Sequence, residues 1–161
     1  MLELRPAGPG DEAFLGRLAA SRWAHLAPVG PELVGLQDRA QRREYAAVPG
    51  SAGEQLVVVD GEPAGRVWWA DGESERHVLD VVIAPELRGR GIGSAVVEQL
   101  VVSANGKAVR LQVEHSNVAW RAHLERAGFV EAGRDAVRAV LVRPGTGPLA
   151  PWIVDGDPTP P

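Results

Sequence analysis

The chain has 161 residues with a formal charge of −4, 24% charged and 45% hydrophobic residues and no cysteine, which suits one folded domain burying roughly 70% of the surface its unfolded form exposes. The missing cysteines exclude disulfides, thiolate zinc sites, iron–sulfur clusters and a cysteine nucleophile, and the acidic balance lacks the basic footprint of a nucleic-acid binder. Met1-Leu-Glu-Leu-Arg-Pro6 shows no basic leader and no stretch nears the roughly 18 apolar residues of a membrane span, so the expectation is a cytoplasmic protein with neither membrane nor nucleic acid as partner.

Leu2 to Pro6 alternates like a short strand, and Pro9-Gly10-Asp11 offers a helix start with Asp11 as N-cap, followed by Phe14, Leu15, Leu18 and Ala19 at helical spacing. A second helix is predicted from Pro31, with Leu33, Leu36, Ala40 and Tyr45 turned inward, stopping at Pro49-Gly50. Gln55–Asp60 and Ala64–Trp69 flank a turn containing Asp60-Gly61, a favoured hairpin pair. His77–Ile83 is a nearly continuous β-branched run, as in a central strand.

Ile92, Ala95, Val96, Leu100 and Val101 then recur at helical spacing up to Asn105-Gly106, a C-cap pair. A strand over Val109–Val113 follows, then a helix from Asn117 carrying Ala119, Trp120, His123, Leu124 and Ala127, then extended segments at Phe129-Val130 and Val137–Val142. The order β-α-α-β-β-β-α-β-α-β-β describes a mixed α/β domain over residues 1–143, and the Pro/Gly-rich residues 144–161 read as a tail.

Arg88-Gly-Arg-Gly-Ile-Gly93 lies between a buried strand and an amphipathic helix. A helix start leaves backbone N–H groups without internal partners at the positive end of the helix dipole, so it attracts an anion such as a pyrophosphate, and glycines let that anion come close. A tight strand-to-helix connection is the plain alternative. The spacing G-x-G-x-G, preceded by a strand meander, disfavours a dinucleotide-binding unit, and no Gly-Lys-Ser/Thr follows to make a Walker A loop.

The string Leu79 to Gly93, with Arg88, Gly91 and Gly93 at the R/Q-x-x-G-x-G/A positions, resembles the signature of GNAT acetyltransferases. Asn117 to Phe129 resembles that family's second element, N-x-x-A-x-x-x-[Y/F]-x-x-x-G-F, in the expected order after an intervening strand. The resemblance covers residues 2 to about 143. It implies a GNAT fold with a splay between the strands at 77–83 and 109–113, and acetyl-CoA as cosubstrate. Pantetheine would lie along the backbone of Val81, Val82 and Ile83, and the pyrophosphate on the N–H groups of Arg88, Gly89, Arg90, Gly91, Ile92 and Gly93. Asn117 stands where a side chain commonly reaches the pantetheine, beside its alternative role as a helix cap.

The activity so implied is transfer of acetyl to a primary amine of a small molecule or a protein, with a homodimer as the expected assembly. Leu124 stands where many family members carry the tyrosine that protonates the leaving thiolate, which leaves a catalytically weak acyl-CoA-binding module as the alternative function. An amine must be neutral to attack, so a carboxylate or histidine is required. Asp80, an acid within the apolar run Val78–Ile83, is the first candidate beside a structural role for it, with Glu114 and His115 second. A backbone N–H at Val82 or Ile83 would hold the developing oxyanion. Arg39, Arg42, Arg43 and Tyr45, with Trp68 and Trp69, could line an acceptor pocket, against the plainer reading of a solvated helix face and a packed tryptophan.

Overall fold

The computed structural model describes residues 1–146. Its strands are β1 (Leu2–Pro6), β2 (Gln55–Val59), β3 (Glu62–Asp71), β4 (Glu75–Ile83), β5 (Ala108–Glu114), β6 (Val130–Arg134) and β7 (Arg138–Arg143). Its α-helices are α1 (Glu12–Arg22), α2 (Pro31–Ala47), α3 (Ile92–Ser103) and α4 (Val118–Arg126). The strands form one mixed sheet of order β1-β2-β3-β4-β5-β7-β6, in which β4 and β5 pair parallel and the β1–β2, β2–β3, β5–β7 and β6–β7 pairs are antiparallel. The predicted α/β order holds throughout.

The chain divides into two compact units, Met1–Ala70 with Leu79–Val96, and Asp71–Val78 with the residues from Val97 on. In the first unit β2 and β3 meet at a two-residue turn, Asp60 (φ 51°) and Gly61 (φ 85°), with Val59 opposite Glu62. Positive φ at both positions matches the right-handed twist of the flanking strands, and Asp-Gly tolerates it. Pro63 is accommodated where the β2–β3 register shifts between Val57 and Val58. Leu15, Leu56 and Val58 form one core cluster; Leu18, Val82 and Ala84 form another, with Phe14 packed against both. In the second unit Ala108, Val140 and Val142 cluster beneath Ala132, and Leu124 and Phe129 are buried.

Two local expectations are corrected. Asp11 does not cap α1 with its side chain. Its carboxylate accepts from the Gly8 N–H (2.8 Å) and is held by both ends of the Arg5 fork (2.8 Å each), so it closes the preceding turn onto β1 instead. On α2 the predicted apolar stripe holds only in part: Leu33 and Tyr45 are half-buried as expected, and Leu36 and Ala40 between them are not. Leu36 is 53% exposed and Ala40 is exposed, whereas the helix buries Asp38 and turns Gln41, Arg42 and Tyr45 partly inward. The reason is electrostatic: Asp38 has a buried guanidinium to meet, so a polar stripe is satisfied where an apolar one was expected.

Of the proposed tail, residues 147–161 lie outside the described residues. Pro144 to Thr146 do not extend away; the Thr146 N–H donates to the Gly106 carbonyl at 2.8 Å.

Candidate active site

After β4 the chain turns through Pro85–Leu87 and reaches α3 by way of Arg88 to Gly91. Gly89 (φ 73°) and Gly91 (φ 78°) take left-handed conformations that cost an ordinary residue roughly 1–2 kcal/mol. A Cβ built on either meets nothing within 4 Å, so the space over both glycines is open. The Ala95 N–H to Gly91 carbonyl bond (3.0 Å) begins the α3 ladder, and among the described residues the N–H groups of Gly89, Arg90 and Gly91 donate to no backbone carbonyl. These free donors at a helix start, with open space before them, fit a pyrophosphate. Arg88 also steadies the turn, donating from Nε to the Ile83 carbonyl at 3.0 Å.

The strand leading into that turn changes its pairing midway. β4 and β5 are in register only from Glu75 opposite Ala108 to Val78 opposite Leu111, while β4 continues to Ile83. Leu79–Ile83 belongs to the first unit, where the Ala84 N–H donates to the Ala64 carbonyl (2.9 Å) and Val82 packs with Leu18. Val81, Val82 and Ile83 therefore have a backbone edge outside the β5 register, and an amide chain such as pantetheine could pair with it as an added strand does.

Asp80 lies one residue before that segment, on the buried face it shares with Val78 and Val82. Arg22, the last residue of α1, donates from Nη1 to Asp80 Oδ1 at 2.9 Å. Arg66 on β3 brings Nη2 to 3.5 Å from Asp80 Oδ2, an ion pair at the outer limit of hydrogen bonding, so among the described residues buried Oδ2 has no well-formed hydrogen bond. Burial pushes the Asp80 carboxyl above the usual carboxylate range, and the guanidiniums of Arg22 and Arg66 pull it only partly back.

Arg66 is itself 1% exposed and is shared, reaching Asp38 Oδ1 (3.1 Å) and Glu54 Oε1 (3.4 Å) as well. Arg42 closes the network on Glu54 Oε2 (2.5 Å). Arg39 and Arg43, by contrast, are solvated. Tyr45 packs against Trp68 with ring centroids 5.8 Å apart, and burial, then the nearby Asp80 charge, pushes its hydroxyl up to about 12. Sequence reasoning missed Arg22, Asp38, Glu54 and Arg66. The available signal was a lone arginine and a lone aspartate inside apolar runs of two successive strands, Arg66 and Asp80, each needing a counter-charge when buried.

In the second unit Glu114, His115 and Asn117 share the turn that closes β5. Glu114 is exposed; the His115 N–H donates to the Val137 carbonyl (2.9 Å) and His115 Nε2 lies 2.9 Å from the Asp135 carbonyl. Asn117 precedes α4 but makes no side-chain cap bond, so the capping role is not realised. Leu124 is 1% exposed, a core residue, and His123 stacks parallel on Trp120 at 6.2 Å. Among the described residues no group of histidines and carboxylates could hold a metal ion.

Comparison with curated protein sequences returns no match. Solved structures resemble the chain throughout its fold. An acetyltransferase from Thermus thermophilus superposes with a TM-score of 0.68 at 20% identity, over 89% of this chain and 97% of that one. The ribosomal-protein-S18-alanine N-acetyltransferase of Escherichia coli gives 0.65 at 16% identity, over 92% and 96%. The PaiA N-acetyltransferase of Thermoplasma acidophilum, solved in complex with coenzyme A, gives 0.62 at 16% identity, over 89% and 99%. The sequence model of the acetyltransferase (GNAT) family matches residues 17–129, the span from α1 through the glycine turn to Phe129, and the chain belongs to that family: it is an acyltransferase whose acyl donor is acetyl-CoA.

Proposed function

We propose that the chain is an N-acetyltransferase acting on a primary amine by direct attack in a ternary complex, with Asp80 receiving the amine's proton. The observation that carries this reading is Asp80 itself, a buried carboxylate with a raised affinity for a proton, one residue ahead of the β4 edge suited to pantetheine. The N–H groups around Gly89 to Gly93 bind the pyrophosphate, the backbone of Val81 to Ile83 aligns the pantetheine, and the N–H of Val82 or Ile83 faces the developing oxyanion.

Acetyl-CoA supplies the acetyl thioester, whose carbonyl carbon bonds to the amine nitrogen as its bond to sulfur breaks. Of the three ammonium protons, one goes to Asp80, one leaves on the thiol of CoA, and one stays on the amide product. Glu114 and His115 are the second choice of proton acceptor.

A second reading, an acyl-CoA-binding module of weak activity, is favoured by Leu124, which fills with buried hydrocarbon the motif position of the usual acid. One plate separates the two: a thermal-shift titration with acetyl-CoA against CoA, then thiol release across a panel of amines. Binding to the native state raises Tm by mass action. Stabilisation with thiol release supports the transferase; stabilisation with no release from any amine supports the binding module; no shift at saturating acetyl-CoA overturns both.

A further inference from the structure

The two guanidiniums on Asp80 are held very differently. Arg66 is locked, 1% exposed and shared among Asp38, Glu54 and Asp80. Arg22 is 28% exposed at its side chain, and among the described residues Asp80 is its one ion-pair partner. In the same position its guanidinium lies over the Trp23 ring, 5.3 Å from the centroid, a contact that can hold the arginine near the site once Asp80 is released. Leaving Asp80 would thus cost Arg22 one ion pair among the described residues, whereas Arg66 would lose three.

For Asp80 the present arrangement is incomplete. Oδ1 has the Arg22 donor at 2.9 Å, while among the described residues buried Oδ2 has only the long 3.5 Å contact with Arg66. An ammonium carries three donors on one atom and can serve both oxygens at once, which the planar guanidinium of Arg22 does not do here. Other unpaired groups belong to the same unit. Among the described residues Trp23 Nε1 and Trp68 Nε1 are buried donors without hydrogen-bond acceptors, and Gln41 Oε1 is a buried acceptor without a donor. Gln41 lies on the α2 face that carries Asp38 and Tyr45, and Tyr45 packs on Trp68 and feels the Asp80 charge. A ligand matching these groups brings hydroxyl or amide functions beside its charged nitrogen.

We propose that Arg22 is an internal stand-in for the acceptor: the incoming ammonium displaces it from Asp80, and the acceptor is a small hydrophilic primary amine. This rests on the transferase reading and deepens it, making Arg22 a positioning and specificity residue for Asp80. The other titratable or charged groups facing Asp80 are the Arg66 guanidinium from β3 and the neutral Tyr45 hydroxyl from α2, with Asp38 and Glu54 acting through Arg66. None is as exposed as Arg22 among those paired directly with Asp80.

The test is calorimetric titration of ethanolamine into CoA-loaded protein, which needs no turnover. Freed of the competitor, R22Q should bind ethanolamine about tenfold more tightly than wild type, the equivalent of one ion pair no longer displaced. R22K, which keeps the charge, should stay near wild type, R22Q/D80N should lose the gain, and propylamine should bind R22Q more weakly than ethanolamine. In wild-type protein the Arg22 Nε–H resonance, assigned by its loss in R22K, should move as ethanolamine is added, a readout independent of the stability of R22Q. Equal affinity of R22Q and wild type, a gain that survives D80N, or an unmoved Arg22 resonance would overturn displacement; equal binding of propylamine would overturn the hydrophilic class. Absence of thiol release from any amine would instead overturn the transferase reading while leaving this binding result standing.

Discussion

At Asp80 a single buried carboxylate must both hold a cation and accept a proton. Asp80→Asn keeps the volume and removes the proton acceptor, so kcat should fall by about 10²–10⁴-fold while the acetyl-CoA thermal shift persists. A kcat within a few-fold of wild type would move the role to Glu114 or His115, read in E114Q and H115Q. The base works only when ionised, and burial raises its pKa, so kcat/KM should climb with pH on a limb lying above the ordinary carboxylate range. R22Q, which removes one charge that lowers this pKa, should move the limb higher. Gly65 on β3 is the neighbouring control of geometry: a Cβ there would lie 2.3 Å from the Val82 carbonyl oxygen and 3.2 Å from Ile83 Cα. Gly65→Ala must push the β4 backbone aside, costing about 1–3 kcal/mol and weakening acetyl-CoA binding, both visible in one thermal-shift titration. Unchanged Tm and affinity would mean that β4 tolerates displacement where pantetheine is proposed to pair.

Among the elements, α2 is the least orthodox, since it is tied through charge where most surface helices use an apolar stripe. Asp38 and Arg42 sit on its inward face, and Arg66 and Glu54 meet them from β3 and the segment before β2. Removing Arg66 would leave Asp38, Glu54 and Asp80 close together with one cation fewer, and a broken buried network costs more than its net worth. Arg66→Met should therefore destabilise the protein by about 3–5 kcal/mol in urea unfolding. A loss under about 1 kcal/mol, the ordinary worth of an exposed pair, would show the three carboxylates to be held apart or solvated.

This is also where the sequence was least legible. The hairpin at Asp60-Gly61 and the turn at Gly89 and Gly91 depend on local φ preferences, which the residues themselves declare. The β-branched run of β4 was equally visible, although its burial alternates along the strand. The inward face of α2 depends on which charge lies across from it, Arg66, 28 positions on from Asp38. Leu36 and Ala40 continue an apolar stripe that tertiary pairing overrides, while Leu33 and Tyr45 keep to it. The candidate site divides the same way: its glycine turn is local and was readable, whereas the partners of Asp80 come from α1 and β3.

For the molecule as a whole, the response to acid is set by a group outside the proposed chemistry. His77 on β4 pairs in register with Arg110 on β5, and Arg110 Nη2 donates to His77 Nδ1 at 3.1 Å, a bond that requires Nδ1 to be unprotonated. Burial first, and the Arg110 charge second, lower the His77 pKa from 6.5 to about 4. Between those values the unfolded chain binds a proton that the folded chain refuses. The stability linked to His77 is therefore fully present above pH 6.5 and is lost as pH falls toward 4, at roughly 1.4 kcal/mol for each pH unit crossed between the two values. Glu75 and Asp80 oppose this, since burial raises their pKa and the folded state gains on acidification as they protonate. Asp11 and Glu131, held down to about 2 by Arg5 and by Arg134 with Arg121 respectively, lose their contribution mainly at lower pH. Urea midpoints measured from about pH 7 down to about pH 4.5 should accordingly fall for wild type. They should stay nearly level, or rise, for His77→Gln, whose amide oxygen can still accept from Arg110 and never takes up a proton. An equally steep fall in the variant would assign the acid sensitivity to the carboxylates, and would mean that His77 is protonated in the folded state with Arg110 turned away from it.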